Sequence, residues 1–143
     1  LSVERFTAEI ESTLIGTLSL WQGVDIPGDS CIQVIIDRIP FPRPDDPVMS
    51  ARSSRVDEAG GSGFRSVTLP RAGLLLAQAS GRLIRSGQDR GVVSVLDSRL
   101  ANSGYGGSLR ESMPPMWFTK NKSVAIRSLE RLRSESDQRI AGQ

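Results

Sequence analysis

Two arginines and a glutamine are spaced so that a single helix face could bind phosphate. In the segment QASGRLIRS, Gln78, Arg82 and Arg85 follow one another at intervals of four and three residues. Positions at this spacing project from one side of a helix. Two guanidinium groups one turn apart suit the oxygens of an anion such as phosphate. From the spacing alone, a solvated face with ordinary salt bridges is the more common outcome, so both interpretations stay open.

The helix that would carry these side chains is predicted from Pro70 to about Arg85. Proline fits the first turn of a helix, and a Ser-Gly pair follows at its end. Leu76, Ala79 and Leu83 lie on the side away from the polar residues and could pack on a sheet. Gly81 has no side chain, so another group could approach the backbone closely there.

A second candidate site is the segment from Thr17 to Gly28, TLSLWQGVDIPG. It follows a short apolar run, and ligands of open α/β sheets bind beyond the carboxyl ends of strands. With Gly23 and Asp25, this segment could meet a nucleotide or a polymer backbone. An equally good interpretation is that glycine and proline only make the turn and that Asp25 caps a short helical turn.

Three apolar runs are predicted to be strands, at about residues 13–17, 32–37 and 91–96. The last two are continuous and rich in β-branched residues, as in strands covered on both faces. Helical segments lie between and beside them. This order predicts an α/β fold in which helices flank a parallel sheet.

Four further elements complete the prediction. They are a helix from Pro47 to about Ala59 capped by Asp46, a Gly/Ser-rich loop over 60–68, a Gly-rich turn over 103–107 followed by a short helix, and an amphipathic helix from about Lys122 with a polar, frayed end. Ala125, Leu129 and Leu132 share one face of the last helix.

Composition excludes several kinds of site. The 143 residues contain one cysteine, Cys31, and no histidine, which excludes an internal disulfide, a multi-cysteine metal site and histidine acid–base chemistry within this chain. Cys31 is expected to be a small core residue. The net charge of +2 permits nucleic-acid binding without arguing for it.

The sequence shows neither a membrane span nor a secretion signal. No apolar run reaches the roughly 18–20 residues that span a bilayer, and the first ten residues lack a basic start. We therefore expect a cytoplasmic protein. The chain starts without methionine and with residues typical of the middle of a helix, so we also expect it to be part of a longer protein.

Taken together, the two candidate sites resemble motifs of superfamily 2 helicases. QASGRLIRS resembles the last conserved motif, Gln-x-x-Gly-Arg-x-x-Arg, and Thr17 followed six residues later by Gly-x-Asp resembles the preceding one. The surrounding segments look like the bacterial DinG type of the iron–sulfur helicase branch, which includes XPD. They are DRIPFPRPDDPVMSAR at 37–52, SGQDRGVVSVLDSRL at 86–100 and YGGSLRESMPP at 105–115. The resemblance covers roughly residues 3–118.

The resemblance implies a domain organisation. Such helicases have two RecA-like domains with ATP between them, and the first supplies the phosphate loop and the Mg²⁺-binding carboxylates. This chain has no G-x-x-x-x-G-K-[ST] sequence. We therefore expect residues 1–118 to be part of the second RecA-like domain and residues 119–143 to be a C-terminal helix and tail. ATP and Mg²⁺ would be bound mainly by the first domain. An iron–sulfur cluster could lie only outside this chain.

The resemblance also implies roles for residues at the nucleotide. Arg85 is the candidate arginine finger for the γ-phosphate, with Arg82 beside it, and Gln78 would orient the phosphate or the attacking water. Gly23, Asp25 and Gly81 would meet the nucleotide. An arginine delivered from a second domain neutralises charge that develops during phosphoryl transfer, which is worth about 10³–10⁵ in rate.

On the DNA side, Thr17 and Ser19 would contact the backbone of single-stranded DNA without selecting sequence. Two departures from the family pattern weaken particular roles. Gln22 stands where XPD-like members have a glutamate before the motif glycine, which removes an acid–base group. Leu18 stands where many DinG-like sequences have a polar residue. The implied partners are single-stranded DNA, ATP and the first RecA-like domain, without a membrane.

Two other functions stay open at this point. The chain could be an α/β nucleic-acid-binding module that works without ATP hydrolysis, or a truncated orphan domain. In each case the chain on its own is expected to be inactive as an ATPase.

Overall fold

The computed structural model describes residues 2–9, 11–20, 31–83 and 89–141. The elements, in order, are α1 (Ser2–Ala8), β1 (Gln33–Ile36), α2 (Pro47–Glu58), a π-helix (Phe64–Thr68), α3 (Leu69–Gly81), β2 (Val92–Val95), α4 (Arg99–Asn102), α5 (Gly106–Glu111) and α6 (Lys122–Ala141). The predicted α/β class, a parallel sheet flanked by helices, is confirmed. None of the helices in these ranges is long and apolar enough to span a membrane.

The sheet of the described residues consists of β1 and β2, which pair in parallel. Gln33 lies opposite Val92, and Ile36 lies opposite Val95. Because side chains alternate along a strand, Val34 and Ile36 share one face with Val93 and Val95. Helix α3 packs on that face, and its buried residues join those of α4 and α5. The buried cluster consists of Ile36, Ile39, Ala72, Leu76, Ala79, Leu100 and Leu109.

The strand predicted at residues 13–17 is wrong. Residues 12–17 form no regular secondary structure, and Ile15 is 89% exposed. A strand forms only where a neighbour satisfies its backbone N–H and C=O groups. The sheet pairs β1 with β2 alone among the described residues, so the short apolar run at Leu14 and Ile15 remains irregular.

Helix α2 begins and ends through the signals that its sequence contains. The Asp46 carboxylate accepts hydrogen bonds from the N–H groups of Val48 and Met49, both at 3.0 Å, and Pro47 occupies the first turn. At the other end Gly60 adopts a φ of 81°. Its N–H donates to Asp57 O, and the N–H of the next residue donates to Val56 O. This is a Schellman motif, for which glycine is preferred. The predicted helix at 47–59 is confirmed.

The predicted loop at 60–68 is wrong over its second half. Residues 64–68 form a π-helix that leads directly into α3, with the Leu69 N–H donating to Phe64 O. Pro70 has no N–H to donate to the carbonyl of Ser66, so the usual ladder is interrupted here and the wider turn accommodates the break. Gly63 permits the approach to α2, because a Cβ there would lie 2.6 Å from Ser53 O.

Helix α6 is longer than expected, and the prediction of a frayed polar end from residue 134 is wrong. The helix continues to Ala141. Leu132 is buried, and Ala125 and Leu129 are half-buried, which confirms the apolar face. Beyond Leu132, Arg131 pairs with Glu135 at 3.9 Å along the helix, and Arg90 reaches the same carboxylate at 3.3 Å. These contacts stabilise the part of α6 beyond Leu132 as a helix.

Candidate functional site

Helix α3 has one buried side and one exposed side. Leu76 and Ala79 are buried, and so is Leu83 just beyond the helix end, as the spacing predicted. Gln78 is exposed and Arg82 is half-buried. Residues four apart on a helix have Cβ atoms about 5–6 Å from each other. Gln78 therefore lies on the exposed side of the last turn of α3, and Arg82 follows four residues later, directly after the helix end.

The end of α3 is tightened relative to an α-helix. The N–H of Arg82 donates to Ala79 O at 3.3 Å, and the N–H of Leu83 donates to Ser80 O at 3.0 Å. These three-residue bonds are typical of a 3₁₀ turn at a helix terminus. Arg82 keeps a helical backbone, with φ −68° and ψ −26°. Regular α-helix ends at Gly81, so the predicted extension is wrong for residues 82–83, and residues 84–85 lie outside the described residues.

Gly81 borders open space. A Cβ built at this position would meet no atom of the described residues within 4 Å. Packing among those residues therefore does not require glycine here. The space lies next to the backbone between Gln78 and Arg82, where a group from outside the chain could approach.

Leu83 fixes the segment that follows the helix. Its side chain packs beneath Gly91, where a Cβ would lie 2.5 Å from three Leu83 carbon atoms. Gly91 immediately precedes β2. The residue next to Arg82 is thus locked to the beginning of a strand, which limits how far the end of α3 can move.

Thr17 and Ser19 form the second predicted contact, in an exposed turn. Their hydroxyl oxygens lie 2.9 Å apart and share a hydrogen bond. The N–H of Leu20 donates to Thr17 O at 2.9 Å, which closes the turn. Leu18 between them is 41% exposed. Two exposed hydroxyl groups in a fixed turn can donate to phosphate oxygens, and Leu18 adds an apolar surface beside them.

The remaining predicted site residues lie outside the described residues. These are Gly23, Asp25 and Arg85, together with Gln22. The structure therefore places Gln78, Gly81 and Arg82 at the end of α3 and Thr17 and Ser19 in a separate turn. The proposed roles of the other residues rest on the sequence motifs.

Asp97, which neither motif of the sequence includes, joins the carboxyl ends of the two strands. Its carboxylate is nearly buried, with 7% of the side chain exposed. It accepts hydrogen bonds from the Arg99 guanidinium, from the Ile39 N–H at 3.1 Å and from the Arg99 N–H. The Arg99 side chain lowers the pKa of Asp97 most, and the two backbone N–H groups lower it further. Together they hold the pKa well below its usual range, although burial opposes the shift.

Arg99 in turn lies over an aromatic cluster. Its guanidinium carbon is 5.2 Å from the centre of the Phe41 ring. Phe41 contacts Phe64 and Tyr105, with ring centres 5.9 and 6.0 Å away. The signal for this arrangement was present in the sequence as Asp-Ser-Arg directly after the last strand. Carboxylate–arginine pairs two residues apart are too common for that signal to be distinctive.

The described side chains fit the phosphate groups of a nucleotide better than its metal ion. Gln78 and Arg82 are hydrogen-bond donors, and arginine binds phosphate through two parallel N–H groups. No group of three or more His, Cys, Asp or Glu side chains in the described ranges could hold a metal ion.

The chain matches known proteins over nearly its whole length. Residues 2–116 match the family model of the helicase C-terminal domain. Over 130 residues the chain is 58% identical to the ATP-dependent helicase DinG of Mycobacterium tuberculosis, covering 91% of this chain and 20% of that protein. It is 41% identical over 127 residues to the ATP-dependent DNA helicase YoaA of Escherichia coli, covering 89% of this chain and 20% of that protein.

A third relative carries a different name. The chain is 38% identical over 112 residues to the 3'-5' exonuclease DinG of Bacillus subtilis, covering 78% of this chain and 12% of that protein. The chain thus spans about a fifth or less of the length of these relatives. The family match includes α3, the turn at Thr17 and both strands. The chain belongs to the helicase C-terminal domain family, as the RecA-like second domain of the DinG type.

Proposed function

We propose that this chain supplies the arginine side of the ATP site in an ATP-dependent DNA helicase, together with part of the path for single-stranded DNA. The observation that supports this most directly is the polarity of α3. The helix buries Leu76 and Ala79 against the sheet and exposes Gln78, and the half-buried Arg82 follows at its end. The proposal is also supported by the ATP-dependent helicases among its relatives.

Each polar residue at this helix end has a distinct role in the proposal. Arg85 reaches the γ-phosphate of ATP held by the first RecA-like domain and neutralises charge in the transition state. Arg82 binds an adjacent phosphate oxygen, and Gln78 orients the attacking water. Gly81 leaves room for the nucleotide beside the backbone. Gly23 and Asp25 contact the nucleotide from the neighbouring loop.

The same arrangement couples hydrolysis to movement. Arginines on a second domain reach the nucleotide only when the two domains close. Thr17 and Ser19 bind the DNA backbone in the same domain, so closure moves the bound strand relative to the first domain. We further propose that residues 1–118 belong to this domain and that residues 119–143 form an appended helix and tail, which packs on β2 through α6.

The isolated chain should not hydrolyse ATP. Its sequence has no phosphate loop, and the Mg²⁺ ligands of the proposal belong to the first domain. The protein acts in the cytoplasm in this proposal, and the strand that it binds is single-stranded DNA.

A nucleic-acid-binding module without ATP hydrolysis is the second candidate function. The exposed hydroxyl pair of Thr17 and Ser19 favours it, because that contact needs no nucleotide. The two functions differ in one respect: only the helicase needs Gln78 and Arg82 for turnover.

The proposal is tested in the full-length protein that contains this chain. Gln78→Ala and Arg82→Ala should each lower kcat for DNA-stimulated ATP hydrolysis by about tenfold or more, with the affinity for single-stranded DNA nearly unchanged. Arg71→Ala is the matched control, since Arg71 is an exposed arginine in the first turn of the same helix. Normal turnover in the two variants would contradict the roles proposed for Gln78 and Arg82. Absence of DNA-stimulated ATP hydrolysis in the unaltered full-length protein, with DNA binding intact, would favour the module without ATP hydrolysis.

A further inference from the structure

An aromatic pair is held on the surface between α5 and α6. Trp117 is 77% exposed and Phe118 is 44% exposed. Solvent-exposed tryptophan is uncommon because its ring gains more from burial than most side chains do. Neither aromatic belongs to the cluster of buried residues. This surface lies outside the two motifs that define the proposed helicase site.

The segment that carries Trp117 is fixed at both of its ends. On one side the Arg110 guanidinium lies 4.6 Å from the centre of the Phe118 ring, and it also donates to Leu100 O at 2.5 Å. On the other side Asn121 caps α6, with its side-chain oxygen accepting from the Ser123 N–H at 2.9 Å. The exposed indole is therefore presented by an anchored backbone, which lowers the entropic cost of binding a ligand.

The chain segment that contains the aromatic pair carries mostly positive charges. Between residues 110 and 122 there are three cationic side chains, Arg110, Lys120 and Lys122, and one acidic side chain, Glu111. Lys120 hydrogen-bonds the neutral amide of Asn102 at 3.4 Å. Within the residues that the structure describes, neither lysine forms an ion pair. An exposed ring flanked by available cations is complementary to an aromatic polyanion.

We propose that Trp117 is a stacking platform for a base of single-stranded nucleic acid, with Lys120 and Lys122 binding the adjacent phosphates. A base stacked on an aromatic side chain contributes without regard to sequence, because every base has a π-face. The lysines bind the backbone electrostatically and release counterions. This contact adds to the one at Thr17 and Ser19. It rests on the proposed function only in taking single-stranded DNA as the partner.

The test follows the fluorescence of Trp117 in the chain, with Trp21→Phe leaving it as the one tryptophan. Titration with an oligothymidylate of about 15 nucleotides should quench the emission in a saturable way. Replacing Trp117 by alanine should weaken binding about fivefold or more, as measured by anisotropy of a labelled oligonucleotide. The double variant Lys120→Gln/Lys122→Gln should lower the slope of log affinity against log salt by about one to two.

Val48→Ala is the matched control, because Val48 is another exposed apolar residue, 58% exposed on α2. Its loss should leave oligonucleotide binding unchanged. Absence of quenching, or unchanged affinity in Trp117→Ala, would overturn the proposal. In the full-length protein, Trp117 could be protected from acrylamide even without oligonucleotide. That result would also overturn the proposal, because another protein segment would then cover the ring. None of these measurements requires ATP hydrolysis, so a failure of this proposal can be distinguished from a failure of the helicase proposal.

Discussion

The side chain of Leu83 fills the space that a side chain at Gly91 would occupy. Three Leu83 carbon atoms lie 2.5 Å from the position of a Cβ on Gly91, and Leu83 itself is buried. Leu83 directly follows Arg82 in the sequence. The beginning of β2 and the end of α3 are therefore packed as one unit, and this packing holds the backbone that carries the arginine motif.

Gly91→Ala should destabilise the chain. The new methyl group must displace a buried side chain rather than a flexible surface group, and overpacking of this kind typically costs about 1–3 kcal/mol. The measurement is the free energy of unfolding from urea titration. Gly104→Ala is the control, because a Cβ there meets no described atom within 4 Å, and it should change the free energy by less than about 0.5 kcal/mol.

The combination with Leu83→Ala shows whether the contact itself is responsible. Leu83→Ala alone should cost about 2–5 kcal/mol through the cavity that it leaves. In the double variant the methyl group at residue 91 has room, so the total loss should be smaller than the sum of the two single losses by about 0.5 kcal/mol or more. Strict additivity would show that Gly91 matters for another reason.

Asp46→Ala should destabilise helix α2 by about 1 kcal/mol, since the side chain accepts from two N–H groups in the first turn. Its neighbour provides the control. Asp45 pairs with Arg43 on the surface, and such pairs contribute little. The quantity compared is the urea midpoint of each variant. Equal losses for Asp45→Ala and Asp46→Ala would contradict the capping role.

The Asp97 carboxylate should make stability depend on pH in the acid range. Its pKa is lowered in the folded chain, mainly by the Arg99 side chain. A lowered pKa contributes stability that is fully present above the unfolded value of about 3.9 and is lost as pH falls through the folded value. Asp97→Asn should therefore be less stable than the natural chain at about pH 7, with a difference that shrinks towards about pH 2–3. A difference independent of pH would contradict this origin.

Elements with local signals could be predicted from the sequence. Asp46, Pro47 and Gly60 determine α2 through hydrogen bonds between near neighbours, and the spacing of Leu76, Ala79 and Leu83 predicts which side of α3 is buried. These effects act within one or two turns, so the sequence contains them directly. The parallel pairing of β1 and β2 followed from their continuous apolar character.

Other features depend on distant residues. The run at residues 13–17 has strand-like composition, but a strand also needs a pairing neighbour, and none is present among the described residues. The close approach of Gly63 to α2 depends on Ser53, which lies ten residues earlier in the chain. Asp97 accepts one of its hydrogen bonds from the N–H of Ile39, which is 58 residues away in the chain. Spacing within one segment cannot predict such contacts.

The motifs predicted roles for more site residues than the structure describes. Gln78 is exposed on the last turn of α3, and Arg82 is half-buried directly after the helix. Arg85, Gly23 and Asp25 lie outside the described residues, so their roles remain predictions from the motifs. A catalytic arginine that acts on a nucleotide held by another domain is defined by that domain, and the sequence of one domain shows only its type and spacing.

The most direct test of the account is the ATP turnover of Arg85→Ala in the full-length protein. We predict that DNA-stimulated hydrolysis is lost by about 10³-fold or more, while ATP binding and single-strand binding stay nearly intact, since the contact belongs to the transition state. Arg85→Lys should recover little, because a point charge lacks the forked donors of arginine. Near-normal turnover in Arg85→Ala would contradict the assignment of Arg85 as the arginine finger.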